Sequence, residues 1–324
     1  MRSVFYERFG SPPKVLQVDE RPVPAPGPGQ VRVKLTLSPI HNHDLMTITG
    51  HYGYLPALPA MPGTEAVGVV DAVGEGVTHL KVGQRVAGGA AATWAAYYLV
   101  DARRAVPVPD SISDETAAQM VSMPLSAKLL LEVMALKRGD WIIQNAANGA
   151  VGKMLVGFGA DLGINVVGLV RRDAGITELA EAGIGNIVST ETPGWQERVK
   201  AATGGAPIIR GLESIGGKAA DELLGVMADG STIYSFGALS GRPLQVSAEN
   251  LLFKQAKIEG FWLARLSQTT PPAILAKLIG EIVAKAASGK LVLTVGGIFG
   301  LDQVVEAAVA ATEPGRAGKV MLRG

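Results

Sequence analysis

The chain has 324 residues, of which 48% are hydrophobic and 18% are charged, and its formal net charge is +1 at pH 7. This length and composition predict a globular protein of two domains, and the nearly balanced charge does not favour nucleic acid or an anionic membrane as a partner. Because the sequence contains no cysteine, disulfides, thiolate metal sites and a cysteine nucleophile are excluded.

The start of the chain is not expected to direct the protein to a membrane. Its first residues, MRSVFYERFG, lack the apolar core of a signal peptide. The longest run without a charged residue, 45–64, contains three prolines and is typical of a loop. We therefore expect no membrane span and a cytoplasmic location.

The first part of the chain, about 120 residues, predicts a β-rich domain. Its strand-like segments are VRVKLTLSPI, EAVGVVDAVG, GQRVAGG and AAYYLV, and connectors such as RPVPAPGPGQ separate them. The following segment, residues 114–140, predicts helices that are interrupted near Pro124 and stopped at Gly139.

From Trp141 onward, apolar strands alternate with helical segments. The predicted strands are WIIQNA, NVVGLV, NIVST, IIRGLES, STIYSFG and KIEGFW. Such alternation indicates an α/β domain with a doubly wound parallel sheet, and six strands is the number found in a Rossmann domain. An amphipathic helix, PPAILAKLIGEIVAKAASG, precedes a tail that ends in the strand-like GKVMLRG, which we expect to return to the first domain.

Residues 147–152, Ala-Asn-Gly-Ala-Val-Gly, match the dinucleotide-binding pattern G-x-G-x-x-G except at the first position. The segment follows a predicted strand and begins a predicted helix, which is the context that supports the interpretation. Gly149 would let the backbone approach a pyrophosphate, and Gly152 would let the helix pack closely on the strand. The helix N-terminus would attract the phosphates. An ordinary tight turn is the alternative.

The second strand of this domain ends just before Arg171 and Arg172. A site for NAD usually has Asp or Glu near this point, whereas arginine suits the 2′-phosphate of NADP because a guanidinium binds phosphate bidentately. These residues predict NADPH as the cofactor. A solvated basic pair is the alternative.

The order of a β-rich domain, a Rossmann domain and a returning tail resembles the medium-chain dehydrogenase/reductase superfamily. MPGTEAVGVVDAVGEGVTHLKVGQRV is similar to the superfamily's first-domain core. SPIHNHDLMTITGHYGYLPALPAMPGTE, QNAANGAVG, LVRR and GFW are most similar to the mitochondrial-type trans-2-enoyl thioester reductases, with the quinone oxidoreductases next. The resemblance implies a GroES-like catalytic domain at residues 1–120 and 266–324, a Rossmann NADP(H)-binding domain at residues 121–265, and a homodimer.

The resemblance also implies site residues. Tyr52 matches the catalytic tyrosine of the enoyl reductases, with His51 and Tyr54 beside it as lesser candidates. Met123 stands where the family has an asparagine, and because a thioether cannot donate a hydrogen bond, this departure leaves the substrate open. The predicted cofactor-binding residues are Asn148, Gly149, Ala150, Val151, Gly152, Arg171, Arg172, Ser235, Phe236, Gly237, Ala238, Phe261, Trp262, Leu263, Ala264 and Lys319.

Zinc-dependent members of the superfamily use Cys and His ligands. Here the first cysteine position is His41, and the histidine of their GHE motif is Thr64. A catalytic zinc needs three protein ligands and an open position, and His41, His43 and Glu65 do not form a pattern that we would assign to zinc. We therefore predict no metal.

With no metal predicted, the expected reaction is hydride transfer to an activated C=C or to a quinone. Hydride addition to an enoyl thioester builds an enolate whose α-carbon then needs a proton. Tyr52 is the predicted donor, since a phenol stays protonated at neutral pH; packing at a cleft rim is its alternative role. The predicted function is an NADPH-dependent reductase of small-molecule 2-enoyl thioesters of CoA or acyl carrier protein. The alternatives are an NADPH:quinone oxidoreductase and a non-catalytic, crystallin-like cofactor-binding protein.

Overall fold

Two large β-sheets organise the chain in the computed structural model, which describes residues 1–313 and 315–324. Each sheet lies in its own unit: the first unit is formed by Met1–Met123 and Ile279–Gly324, and the second by Pro124–Leu278. The sequence-based domain boundaries, after residue 120 and before residue 266, stay predictions. Among the described residues, no helix is both long and apolar enough to cross a membrane.

The first unit begins with antiparallel strands whose central member alternates buried and exposed side chains. Val31, Val33 and Leu35 of that strand are buried, whereas Lys34 between them is exposed, as the two-residue period of a strand requires. The strands are β1 (Arg2–Phe5), β2 (Gln17–Glu20), β3 (Gln30–Pro39), β4 (Glu65–Val73), β5 (Arg85–Gly89), β6 (Tyr97–Asp101) and β7 (Val106–Pro107). The central strand, β3, pairs antiparallel with both β4 and β6, while β1 and β2 form a separate pair.

The helices of this part are α1 (Pro12–Val15), α2 (Asn42–Thr49) and α3 (Asp114–Ala117), and the next helix, α4 (Ser122–Met134), runs from the end of the first unit into the second. The predicted interruption near Pro124 is displaced: the break lies before α4, and Pro124 occupies the first turn of the helix, where a missing N–H is tolerated. The predicted stop at Gly139 is also displaced, because α4 ends at Met134 and Ala135 takes a left-handed conformation with φ 49°.

The second unit contains a six-stranded sheet in which every pairing is parallel. Its strands are β8 (Trp141–Gln144), β9 (Asn165–Val170), β10 (Ile187–Ser189), β11 (Ile208–Glu213), β12 (Thr232–Ser235) and β13 (Lys257–Gly260). They are hydrogen-bonded in the order β10-β9-β8-β11-β12-β13, which confirms the predicted Rossmann sheet. The strand order reverses between β8 and β11, and ligands of such sheets bind beyond the carboxyl ends of the strands at this point.

Five helices connect these strands, and a sixth follows the last strand. They are α5 (Ala150–Leu162), α6 (Ala174–Glu181), α7 (Trp195–Ala202), α8 (Ala219–Val226), α9 (Ala248–Leu252) and α10 (Leu263–Thr269). Because helices cover both faces of such a sheet, its inner strands are largely apolar, as in β9, where five of the six residues are buried.

The chain then returns to the first unit through α11 (Pro272–Ala287), β14 (Val295–Gly300), α12 (Val304–Ala310) and β15 (Lys319–Arg323). β15 pairs parallel with β14 and antiparallel with β3, where Met321 lies opposite Pro39. The first sheet therefore has the order β14-β15-β3-β4-β5-β7, with β6 also paired to β3. The C-terminal strand joins the sheet of the first unit.

Candidate functional site

The glycine-containing turn lies at the carboxyl end of β8, beside the point where the strand order reverses. Gly149 is the N-cap of α5, and the first turn of this helix contains no acidic side chain and no side-chain cap. The N–H groups at the helix N-terminus are therefore available to an anion. A Cβ on Gly152 would lie 2.7 Å from the carbonyl oxygen of Ala147, so that only glycine lets the helix approach the strand. These features fit the pyrophosphate of a dinucleotide.

Alanine at the first position of the motif is accommodated by the residue before it. Ala146 has φ 50°, in the left-handed region that L-residues rarely adopt. Its carbonyl accepts the N–H of Gly149 at 2.9 Å, which closes the turn. Ala147 is buried, and its N–H donates to the carbonyl of Leu169 in β9 at 3.1 Å. The tight turn thus forms without the first glycine, with the unusual conformation placed on Ala146.

A buried polar network lies behind the turn, and the sequence pattern does not predict it. Asn145 accepts the N–H of Ser214 at 2.8 Å and donates its amide N–H to Glu213 Oε1 at 3.1 Å. The same Oε1 accepts the N–H groups of Ile215 and Gly216, each at 2.7 Å. The network fixes the loop after β11 beside the turn after β8. Two polar residues at strand ends could have indicated this network. Asn145 directly follows β8, and Glu213 is the last residue of β11.

Arg171 and Arg172 follow β9 directly, and both side chains are exposed. Within residues 1–313 and 315–324, neither guanidinium forms an ion pair. The N–H of Asp173 donates to Glu191 Oε2 at 2.8 Å, which ties the ends of β9 and β10 together. Two unpaired guanidinium groups at this strand end suit a phosphate ligand.

Two of the predicted cofactor segments meet because β12 and β13 are neighbours. The rings of Phe236 and Phe261, which follow these strands, are tilted with centroids 5.6 Å apart. The N–H of Phe261 donates to the carbonyl of Ser235 at 2.9 Å. Gly237 packs against Ser214, and a Cβ added there would lie 2.9 Å from the Ser214 carbonyl oxygen. The loops after β11, β12 and β13 therefore lie together at the carboxyl ends of these strands.

The remaining predicted cofactor residues differ in exposure. Asn148, Ala150 and Ala238 are exposed in loops or at a helix start, whereas Val151 is buried in α5. Trp262 is the N-cap of α10, and Leu263 and Ala264 are its first two residues; of these three, Trp262 and Ala264 are exposed.

Tyr52 lies in the first unit, two residues beyond the C-cap of α2. The cap is Gly50, at φ 81° and ψ 16°, and the N–H of His51 donates to the carbonyl of Met46 at 2.9 Å. The Tyr52 side chain is half-buried, and its ring stacks on that of His43 with centroids 5.7 Å apart. The predicted acid is therefore held against a second titratable side chain.

Behind Tyr52 lies a buried cluster of charged and polar residues. His41 Nε2 lies 2.8 Å from Glu65 Oε2, and both side chains are fully buried. Glu65 Oε1 accepts the N–H groups of Val121 and Ser122 at 2.7 and 2.8 Å. In the part of the chain that the structure describes, no group of three or more His, Asp or Glu side chains is arranged to hold a metal ion.

Burial controls the charges of this cluster. It raises the pKa of Glu65 to about 7, although hydrogen bonds from Ser122 and Val121 oppose the shift. It also holds the pKa of His41 well below the ordinary 6.5, and repulsion from Lys319 adds to the effect. Near neutral pH, His41 is therefore uncharged.

Lys319, the predicted cofactor residue at the start of β15, borders the same cluster. Its side chain as a whole is half-buried, yet burial of the ammonium lowers the pKa of Lys319 to about 8. Repulsion from Arg316 acts in the same direction, and the acidic groups of Asp44 and Glu65 oppose it. The structure thus places Tyr52 and Lys319 in the first unit, and all the other predicted site residues in the second.

Comparison with known proteins gives two matching family models, the alcohol dehydrogenase GroES-like domain at residues 27–110 and the zinc-binding dehydrogenase at residues 150–281. The mitochondrial enoyl-[acyl-carrier-protein] reductase of Homo sapiens is 31% identical over 330 residues, covering 99% of this chain and 88% of that protein. A Bacillus thuringiensis structure that carries the name NADPH:quinone reductase has a TM-score of 0.93 and 28% identity, covering 100% of this chain and 98% of that one. A mycobacterial protein in complex with NADPH has a TM-score of 0.88 and 26% identity, with both chains covered completely at 100%.

Proposed function

This chain belongs to the medium-chain dehydrogenase/reductase superfamily and is an oxidoreductase, and we propose that it reduces the activated C=C of 2-enoyl thioesters with NADPH. The observation that carries the proposal is Tyr52, a phenol that the first unit holds half-buried against His43. Similarity to the human enoyl reductase over 99% of the chain supports it. The acyl carrier, CoA or acyl carrier protein, is part of the proposal.

The second unit offers the groups that NADPH requires. The N-terminus of α5 after Gly149 would hold the pyrophosphate, and Arg171 and Arg172 would hold the 2′-phosphate. The NADPH-bound mycobacterial neighbour supports this choice of cofactor. When bound, NADPH supplies the hydride of the reaction.

Tyr52 supplies the proton. As the new C–H bond forms at the β-carbon, the electron pair of the C=C bond moves toward the thioester oxygen and gives an enolate. The enolate collapses as its α-carbon takes the proton from the Tyr52 Oη, and solvent then returns a proton to the phenolate. A phenol with a pKa of about 10 in water keeps this proton at neutral pH until the enolate forms.

The second candidate function is an NADPH:quinone oxidoreductase. The structural likeness to the Bacillus thuringiensis protein, at a TM-score of 0.93, favours it. Met123 also removes the hydrogen-bonding asparagine that the enoyl reductases have at this position. The third candidate, a cofactor-binding protein without catalysis, would show no turnover with either substrate class.

We also propose a cytoplasmic homodimer that joins the two parallel sheets edge to edge. β13 is the last strand of the sheet, and three of its four residues are exposed. Just before it, Leu252 and Phe253 are 61% and 79% exposed. An unpaired strand edge beside exposed apolar side chains can pair with strands of other chains and cause aggregation. In a two-fold dimer, the edge strands of the two subunits pair with each other instead.

A substrate screen with NADPH tests the proposed function. Crotonyl-CoA, longer enoyl-CoAs, 1,4-benzoquinone and a naphthoquinone are compared by kcat/KM, with NADPH oxidation followed by absorbance. We expect enoyl thioesters to be reduced with a higher kcat/KM than either quinone. A preference for quinones would replace the proposal with the second candidate, and no turnover with any compound would favour the third.

A further inference from the structure

Three aromatic rings form a continuous stack in the first unit. The His41 and His43 rings are nearly parallel, with centroids 4.9 Å apart and an interplanar angle of 13°. The His43 and Tyr52 rings follow, at 5.7 Å and 30°. This histidine–tyrosine stack extends from the fully buried His41 ring to the half-buried Tyr52 phenol. Of its three rings, the proposed reaction uses only Tyr52.

The inner ring of the stack is fixed in place. His41 Nε2 bonds to Glu65 Oε2 at 2.8 Å, and the other carboxylate oxygen of Glu65 is held by two backbone N–H groups. His41 is also the N-cap of α2, and its backbone N–H donates to Asp44 Oδ2 at 2.9 Å. The hydrogen bond at Nε2 and the complete burial of the side chain hold the His41 ring in place.

The middle ring is fixed by a second set of hydrogen bonds. The Thr64 hydroxyl donates to Asp44 Oδ1 at 2.7 Å, and the Asp44 side chain is buried. The Thr64 oxygen must then accept, and His43 Nε2, at 2.7 Å, is its donor. The network thus assigns the Nε2–H tautomer to His43 and sets the plane of its ring.

The geometry points to His43 as a positioning residue: we propose that the fixed histidine–tyrosine stack holds the Tyr52 ring in the orientation from which its hydroxyl protonates the substrate. The inference rests on the proposed role of Tyr52 as the acid. Tyr52 lies in a loop after the end of α2, and the stack joins it to His41 and His43 at the start of that helix. A displacement of about 1 Å at a reacting group can cost roughly a hundredfold in rate.

Two variants separate the ring of His43 from its hydrogen bond. His43→Gln keeps an N–H donor for Thr64 but removes the ring, whereas His43→Phe keeps a flat ring but removes the donor. His79→Gln is the matched control, because it makes the same change at an exposed histidine of the first unit that lies outside the stack. We expect kcat with crotonyl-CoA to fall roughly tenfold or more in His43→Gln, clearly less in His43→Phe, which keeps the stacked ring but loses the bond to Thr64, and less than about threefold in the control.

The double variant His43→Gln/Tyr52→Phe tests whether the two residues act together. If His43 works through Tyr52, the double variant is no slower than Tyr52→Phe alone. The dissociation constant of NADPH, measured by fluorescence, should change less than about threefold in every variant, since the stack is not proposed to hold the cofactor.

A second readout does not depend on activity. In protein labelled with ¹³C-tyrosine, the Tyr52 ring signals are assigned by their loss in Tyr52→Phe. Ring currents of a stacked neighbour shift these signals, so they should move toward free-tyrosine positions in His43→Gln and remain displaced in His43→Phe. Unchanged Tyr52 signals in His43→Gln would show that the stack does not order the phenol and would overturn the inference.

The kinetic results distinguish failure of this inference from failure of the proposed function. Equal losses in His43→Gln and His43→Phe would assign the effect to the hydrogen bond and overturn the role of the stack. Wild-type kcat in His43→Gln, together with a slow Tyr52→Phe, would overturn the inference and leave the proposed function standing. Wild-type kcat in Tyr52→Phe would overturn both.

Discussion

The Nε2 atom of His41 lies 2.8 Å from Oε2 of Glu65, and both side chains are 0% exposed. Burial moves the two pKa values in opposite directions, that of Glu65 up to about 7 and that of His41 well below 6.5. In the interval between pH 4.5 and 6.5 in which the folded protein keeps His41 neutral, the folded pair carries one proton on Glu65, and the unfolded pair carries one on His41. The intact pair therefore adds little pH dependence to stability in that interval.

Replacing only one member of the His41–Glu65 pair should make the free energy of unfolding depend on pH, in opposite directions for the two residues. In Glu65→Gln, His41 keeps its lowered pKa, so only the unfolded state takes up a proton below pH 6.5, and the free energy of unfolding falls as pH drops. In His41→Asn, Glu65 keeps its raised pKa, so stability is full below pH 4.5 and is lost as pH rises toward about 7. The second loss is at most about 3 kcal/mol, at 1.36 kcal/mol per pKa unit. Urea unfolding from pH 5 to 8 measures both slopes, and slopes of the same sign would contradict the assignment.

Cofactor preference should depend on the arginine pair after β9. Replacing Arg171 and Arg172 by alanine removes charge-assisted hydrogen bonds worth roughly 1.5–3 kcal/mol each, so NADPH affinity should fall by one to two orders of magnitude per arginine. NADH affinity should hardly change, because NADH has no 2′-phosphate. Calorimetry measures the dissociation constants of NADPH and NADH. Lys200→Ala is the control, because it removes another exposed positive charge from the second unit. A wild-type protein that binds NADH as tightly as NADPH would contradict the prediction.

Loss of the Tyr52 hydroxyl should affect one substrate class selectively. Tyr52→Phe is expected to lower turnover of enoyl thioesters by roughly 10²–10⁴, the usual effect of removing a general acid. Quinone reduction should lose much less, since water can protonate the reduced oxygens. Tyr54→Phe makes the same change at a lesser candidate for the acid, a phenol that is 64% exposed in the same loop, and should lose far less turnover. Equal, small losses on both substrates would leave Tyr52 with a packing role only.

The dimer should depend on the apolar side chains before β13. Replacing Leu252 and Phe253 by aspartate places two charges beside the proposed sheet edge, where burial of a charge is costly, and should give monomers. Light scattering at micromolar concentration measures the mass. Val82→Asp, at a residue that is 63% exposed in the first unit, should leave the dimer intact. A wild-type monomer at this concentration would count against the proposed assembly.

Activity should not require zinc. The ring nitrogen of His41 that faces Glu65 is already hydrogen-bonded, and the GHE histidine position is Thr64, which is bonded to Asp44. We expect enzyme incubated with EDTA to retain its turnover and purified protein to contain far less than one zinc per chain. Elemental analysis that finds one zinc per chain would contradict this prediction and would indicate His41 as a zinc ligand.

The sequence by itself determined the parts of the molecule that depend on residues close together in the chain. The segment NVVGLV forms β9 over the same residues, Asn165–Val170, because a strand covered on both faces is largely apolar, and all its residues after Asn165 are buried. The turn at residues 147–152 and the arginines after β9 were also predictable, since each depends on a strand, a turn and a helix that follow one another.

Other features were decided only by the tertiary structure. His41 and Glu65 are 24 residues apart, and Asn145 and Glu213 are 68 apart, so each pair forms only once distant segments have packed together. The conformation of Ala146, which replaces the missing glycine, likewise depends on how the turn meets β9. A local rule also misplaced the break near Pro124, because proline is excluded from a helix interior but tolerated in a first turn. Local patterns report the preferences of a few neighbouring residues, whereas burial and side-chain pairing depend on which distant segments share a core.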